Sequence, residues 1–154
     1  MACPTLEGEV TRIMSRIHVR WQGNYQTSIT IRGIHHLQGD EAPEYGGQDA
    51  GPMPTDLLLA GVASCMCLAV SHVARKRRIA LENLTVEASA SKDEQAFRFG
   101  LIELMVKADL PQDQLDRLVD QAKRYCFVSN TLIAGCPVQT TARSTVTSEQ
   151  TDGP

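Results

Sequence analysis

Residues 54–78 read PTDLLLAGVASCMCLAVSHVARKRR. Pro54 suits the first turn of a helix, where its missing N–H is no loss, and Thr55 and Asp56 bring an oxygen and a negative charge to the positive pole of the helix dipole. From Leu57 to Val70 the run is apolar apart from Ser64, and Arg75, Lys76, Arg77 and Arg78 then place cations at the negative pole. The stretch predicts a helix to about Arg78. Leu57, Leu58, Leu59, Val62, Met66, Leu68 and Val70 leave that helix no polar face before Ser71 and His72, so it must be enclosed by a sheet or by a second subunit. Ala60, Gly61, Ala63 and Ser64 are small enough to let another backbone approach closely, or to pack tightly. The 14-residue apolar run is shorter than the ~20 residues needed to cross a bilayer, and a core helix is the expectation.

Upstream of the helix, IHVRW and YQTSITIR carry β-branched and aromatic residues around Gly23 and Asn24, the pattern of a hairpin. Residues 39–54, GDEAPEYGGQDAGPMP, hold four glycines and three prolines among acids and read as a loop or lid. Downstream, LENLTVEASASK and FGLIELMVKADL alternate as two strands joined across Asp93, Glu94 and Gln95. Pro111 opens a second helix whose Leu115, Leu118, Val119 and Ala122 share one face and which ends at Tyr125 or Cys126. A last strand is expected in VQTTARSTV, followed by a frayed polar tail, SEQTDGP. With neither repeat nor linker, the chain reads as one α+β domain over 1–154, with its core at about 10–147 and flexible tails.

Composition narrows the function. The 154 residues carry a net charge of −3, with 42% hydrophobic and 21% charged residues, which points to neither nucleic acid nor an anionic membrane as partner. The run Arg75 to Arg78 reads as a solvated helix end rather than a phosphate site. MACPTLEGEVTRIM has no apolar h-region, so no signal peptide is expected and the cytosol is the predicted compartment. Thiols in that reducing setting are packing residues, metal ligands or reactive groups, and not a disulfide framework.

Five cysteines are present. Cys65 lies in the long helix and Cys126 at the end of the second, in AKRYCFVSNTLIAGCPV, where a helix end followed by a turn would be mobile enough to present a thiol. Two thiols that a fold brings together are the minimum equipment for redox chemistry in which one sulfur is oxidised and the other resolves it. A helical cysteine is otherwise a small hydrophobe. Cys65 and Cys67 stand about 200° apart around the helix, so only one of them can face a given pocket. There is no Cys-x-x-Cys motif, and Cys65, Cys67, His35, His36 and Cys136 form no standard zinc set. His72 is two turns from Cys65, about 10 Å along the axis and too far to act as the base of a cysteine hydrolase.

The stretch DEAPEYGGQDAGPMPTDLLLAGVASC, the basic helix end, ALENLTVEASAS and the Cys-x-x-Ser of CFVSNTL together resemble the OsmC/Ohr family of small thiol-dependent peroxidases. The resemblance spans roughly residues 18–147, and GPMPTDLLLAG is more similar to the less characterised OsmC-like branch than to the dedicated organic-hydroperoxide reductases. It implies an intertwined α+β homodimer, two long helices held between antiparallel sheets and active sites at the subunit interface. It also implies that Cys65 is the peroxidatic thiol and Cys126 the resolving thiol. A hydroperoxide would be the substrate, an external dithiol such as a lipoylated protein the reductant, and no metal or organic cofactor would be needed.

Family peroxidases carry a glutamate directly after the proline at the helix start and an arginine in an early loop; here those places read Thr55, with Asp56 next, and GNYQTS. Asp56, Thr55, Glu44, Arg32 and Arg20 are the candidates for activating Cys65 or lining its pocket, with Tyr45 and Asp49 on the same PEYGG loop as Glu44. A solvated loop with turn glycines is the simpler account of that segment, and His35 and His36 read as flanking a strand end. Two alternatives to a peroxidase stand beside it. One is a dimer that binds a small hydrophobic ligand or senses redox state, keeping the cysteines as packing; the other is an interaction protein that uses the apolar helix.

Overall fold

The computed structural model describes residues 15–145. The N-terminal segment with Cys3, the end of the expected last strand and the SEQTDGP tail lie outside the described residues. The long helix, α1, spans Pro54–Lys76. It stops where Arg78 takes a left-handed φ of 58° and the Ile79 N–H turns back to the Ala74 carbonyl at 2.9 Å. At 23 residues α1 is long and apolar enough to cross a bilayer by length and composition, so the short span read from the sequence understated it. One third of that apolar window is buried in the single chain, and Val62, Met66, Ala69, Val70, Val73 and Ala74 are the helix's buried residues.

Strands β1 (Ile17–Gly23), β2 (Gln26–Ile31) and β3 (His35–Gly39) form an antiparallel meander. The turn after Gly23 is the expected one, with Asn24 at a φ of 47° and Trp21 Nε1 donating to the Asn24 carbonyl at 2.8 Å. The sequence reading missed β3, because HHLQG shows no apolar alternation of its own; pairing with β2 makes it a strand, and His35 and His36 sit inside it. Register puts Ile17, Val19, Trp21, Ile29, Ile31 and Leu37 on one face and His18, Arg20, Ser28, Thr30, His36 and Gln38 on the other.

A second hairpin, β4 (Thr85–Lys92) with β5 (Phe99–Lys107), lies across α1. Val86 pairs with Val106, Ala88 with Leu104 and Ala90 with Ile102, so the inward face is apolar, while Glu87 and Lys107 form an exposed ion pair on the other. Helix α2 (Gln112–Ala122) packs Leu115, Leu118 and Ala122 inward, as its periodicity predicts.

The end of α2 departs from expectation. It passes through a short 3-10 turn, Lys123–Tyr125, into a further helix, α3 (Phe127–Ile133). Cys126 is therefore a junction between helices that both pack on α1, and it is 0% exposed rather than presented on a mobile turn. Residues 138–145, the described part of the expected last strand, adopt no regular structure. A strand exists only as half of a ladder, and among the described residues the two sheets consist of β1, β2 and β3 and of β4 and β5.

Candidate functional site

The core cluster is built on α1 and contains Met66, Ala69, Val70, Val73, Ala74, Leu118, Ala122 and Cys126. Cys65 packs against it from α1, and Cys67, about 200° around the helix, is also half-buried. Cys65 is half-buried and Cys126 fully buried, and both are free thiols. The fold therefore brings the cysteines at positions 65 and 126 to one apolar cluster. Cys126 Sγ lies 3.0 Å from Ser129 Oγ, one turn along at the start of α3. The Cys-x-x-Ser spacing was the signal for this contact, since residues three apart on a helix are neighbours.

A cavity of about 620 Å³ is reached by Ser129 but is lined by neither Cys65 nor Cys126. Val62 and Met66 of α1, Ile102 and Leu104 of β5, Leu132 of α3 and the Ser129 side chain contribute to its wall, which is mostly apolar. The His72 ring meets Tyr125 at a centroid distance of 5.1 Å, and Lys76 Nζ sits 6.0 Å from the centre of the Tyr125 ring.

The activation candidates occupy other places. Asp56 Oδ2 accepts the Met53 backbone N–H at 3.0 Å and so works at the helix cap, beside an exposed Thr55. Glu44 is exposed on a short 3-10 helix, Pro43–Tyr45. Arg32 turns the chain after β2 with a φ of 53°, and its Nη2 lies 3.1 Å from His35 Nε2. Arg20 is exposed on the polar face of the N-terminal meander. Within one chain that meander pairs with itself, while α1, which carries Thr55 and Asp56 as well as Cys65, packs on β4, α2 and α3.

Sequence reasoning also missed Asp40. It is 1% exposed, and its carboxylate accepts the backbone N–H groups of Glu41 (2.8 Å), Gln48 (3.1 Å) and Ala50 (3.2 Å). Burial alone raises such a carboxyl, but hydrogen bonds from Glu41, Ala50 and Gln48, with Gln26, outweigh it and hold Asp40 below the ordinary carboxylate value. The 40–53 loop is thus a folded unit wound around one buried charge. Nothing in a run of glycines, prolines and acids marks one acid as central.

The OsmC-like protein family model matches residues 46–141, which takes in α1, both strands of the second hairpin, α2 and α3. This chain belongs to the OsmC-like family. It is 30% identical over 113 residues to an uncharacterized protein of Methanocaldococcus jannaschii, covering 70% of this chain and 57% of that protein. It is also 30% identical over 79 residues to the organic hydroperoxide resistance protein OhrB of Bacillus subtilis, covering 49% of this chain and 58% of that one. The chain thus spans a little over half the length of these curated relatives.

Solved structures extend the likeness to the whole fold. An organic hydroperoxide resistance protein OsmC from Legionella pneumophila, described as a predicted redox protein and regulator of sulfide bond formation, superposes with a TM-score of 0.66 at 26% identity. That match covers 78% of this chain and 89% of the other. The crystal structure of Bacillus subtilis OhrB gives a TM-score of 0.59 at 27% identity, covering 77% and 90%. The mixed helix and antiparallel-sheet architecture is that of OsmC/Ohr proteins.

Proposed function

We propose that this OsmC-like protein is a thiol-dependent peroxidase with Cys65 as the peroxidatic and Cys126 as the resolving cysteine. The observation that carries the reading is the packing of Cys65 against the buried cluster that contains Cys126. The Cys65 thiolate attacks a hydroperoxide oxygen; the O–O bond breaks, the organic part leaves as an alcohol and Cys65 becomes a sulfenic acid. Cys126 sulfur then attacks Cys65 sulfur, the S–O bond breaks, water leaves and a disulfide remains for an external dithiol to reduce. The Bacillus subtilis and Legionella pneumophila relatives are named as organic hydroperoxide resistance proteins, and that supports this assignment by kinship.

We infer a cytoplasmic homodimer as the working form. The apolar face of the meander is open in the single chain, with Trp21 71% exposed, and Leu68 of α1 is 68% exposed. A partner's sheet laid over α1 would cover both faces, give residues 138–145 an edge to pair with and bring a partner's cation toward Cys65.

The deciding experiment is a single turnover with cumene hydroperoxide, following peroxide loss and free thiols in wild type, Cys65→Ser and Cys126→Ser. The expected result is two thiols lost in wild type, no reaction in Cys65→Ser and a trapped sulfenic acid in Cys126→Ser. Unchanged thiols in wild type would overturn the assignment. In that event the apolar cavity of about 620 Å³ favours the second reading, a dimer that binds a small hydrophobic ligand.

A further inference from the structure

We propose that Ser129 is the residue that makes Cys126 a competent resolving thiol; the inference rests on the peroxidase reading and adds a third residue to it. Cys126 is 0% exposed and belongs to the apolar cluster of Met66, Ala69, Val70, Leu118 and Ala122. Ser129 Oγ, 3.0 Å away, is the polar group bonded to that sulfur, and Ser129 also reaches the wall of the large cavity. A hydroxyl is both donor and acceptor, so it can take the S–H proton while giving its own.

Disulfide formation needs that service. Cys126 sulfur supplies the electron pair of the new S–S bond and is oxidised, while the Cys65 sulfenic sulfur is reduced as its S–O bond breaks. The S–H proton must reach the departing hydroxide, which leaves as water. Ser129 holds Cys126 in one orientation and relays that proton out of the apolar cluster. The first step, attack of Cys65 on peroxide, does not involve Ser129.

The test mixes the reduced full-length protein with one equivalent of cumene hydroperoxide. Peroxide loss is followed in solution, and the sulfenic acid is trapped with dimedone and counted by intact mass. Ser129→Ala should form the disulfide about tenfold more slowly, the order expected for one lost hydrogen bond in a rate-limiting step, with sulfenic acid accumulating. Ser129→Thr, which keeps the hydroxyl, should restore the second step. A disulfide rate unchanged in Ser129→Ala, or equally slow in Ser129→Thr, overturns the inference while leaving the peroxidase intact. A wild type that loses no thiol overturns the peroxidase reading and this inference with it.

Discussion

The Asp56 carboxylate accepts the backbone N–H of Met53 at 3.0 Å, closing the first turn of α1 on the residue that precedes its proline. The acid nearest the helix start is thus a helix cap, bonded to backbone. Replacing it by alanine should lower stability by ~1 kcal/mol, the ordinary worth of such a cap, whereas Asp56→Asn should cost less because the amide oxygen still accepts. Urea unfolding checks the first outcome. Peroxide consumption by folded Asp56→Asn should match wild type, and a large loss there would return Asp56 to the reaction.

Asp40 makes the 40–53 loop sensitive to acid. Its folded pKa is lowered from 3.8, so its stabilising effect is complete above the unfolded value and is lost as pH falls through the folded one. The loop should hold through neutral and mildly acid solution and loosen only below about pH 3.9. Amide exchange at Gln48 and Ala50, whose N–H groups bond Asp40, should rise in that range. Asp40→Asn should expose those amides even at neutral pH.

Gly47 and Gly51 are required by space rather than by dihedral angle. A methyl group on Gly51 would run into the Gln38 carbonyl, and one on Gly47 into the Glu41 carbonyl, both backbone atoms that cannot swing aside. Gly51→Ala should destabilise by about 1–3 kcal/mol through the forced shift of β3 against the loop. Gly135→Ala is a useful contrast, because nothing lies within 4 Å of its added carbon and the cost there comes from its φ of 66° alone.

The proposed dimer predicts a separation of folding from assembly. Trp21→Glu alters a side chain that is 71% exposed in one chain, so an isolated protomer should keep its secondary structure. Assembly should fail, because a charge would be buried without a partner at the new interface. Light scattering should give twice the chain mass for wild type and the single-chain mass for the variant; a wild type that runs as a monomer refutes the proposal.

Most of the fold was legible because its elements announce themselves locally. Pro54 and the apolar run gave α1, Gly23 and Asn24 gave the first turn, and alternation gave β4 and β5. The failures share a cause. HHLQG is a strand because β2 pairs with it, VQTTARST belongs to neither sheet of the described residues, and α3 follows α2 through a junction too short to show periodicity.

For the candidate site, the sequence by itself determined which residues are candidates: an apolar helix, two cysteines 61 residues apart and a serine three residues beyond the second. Tertiary structure alone decided that Cys65 packs against the buried cluster, that Cys126 is sealed from solvent with Ser129 as its hydrogen-bond partner, and that Asp56 and Arg32 are engaged elsewhere. The physical reason is that periodicity fixes the angle of a side chain around its own helix, while which angle is inward, and which neighbour completes a hydrogen bond, depends on the elements that pack against it.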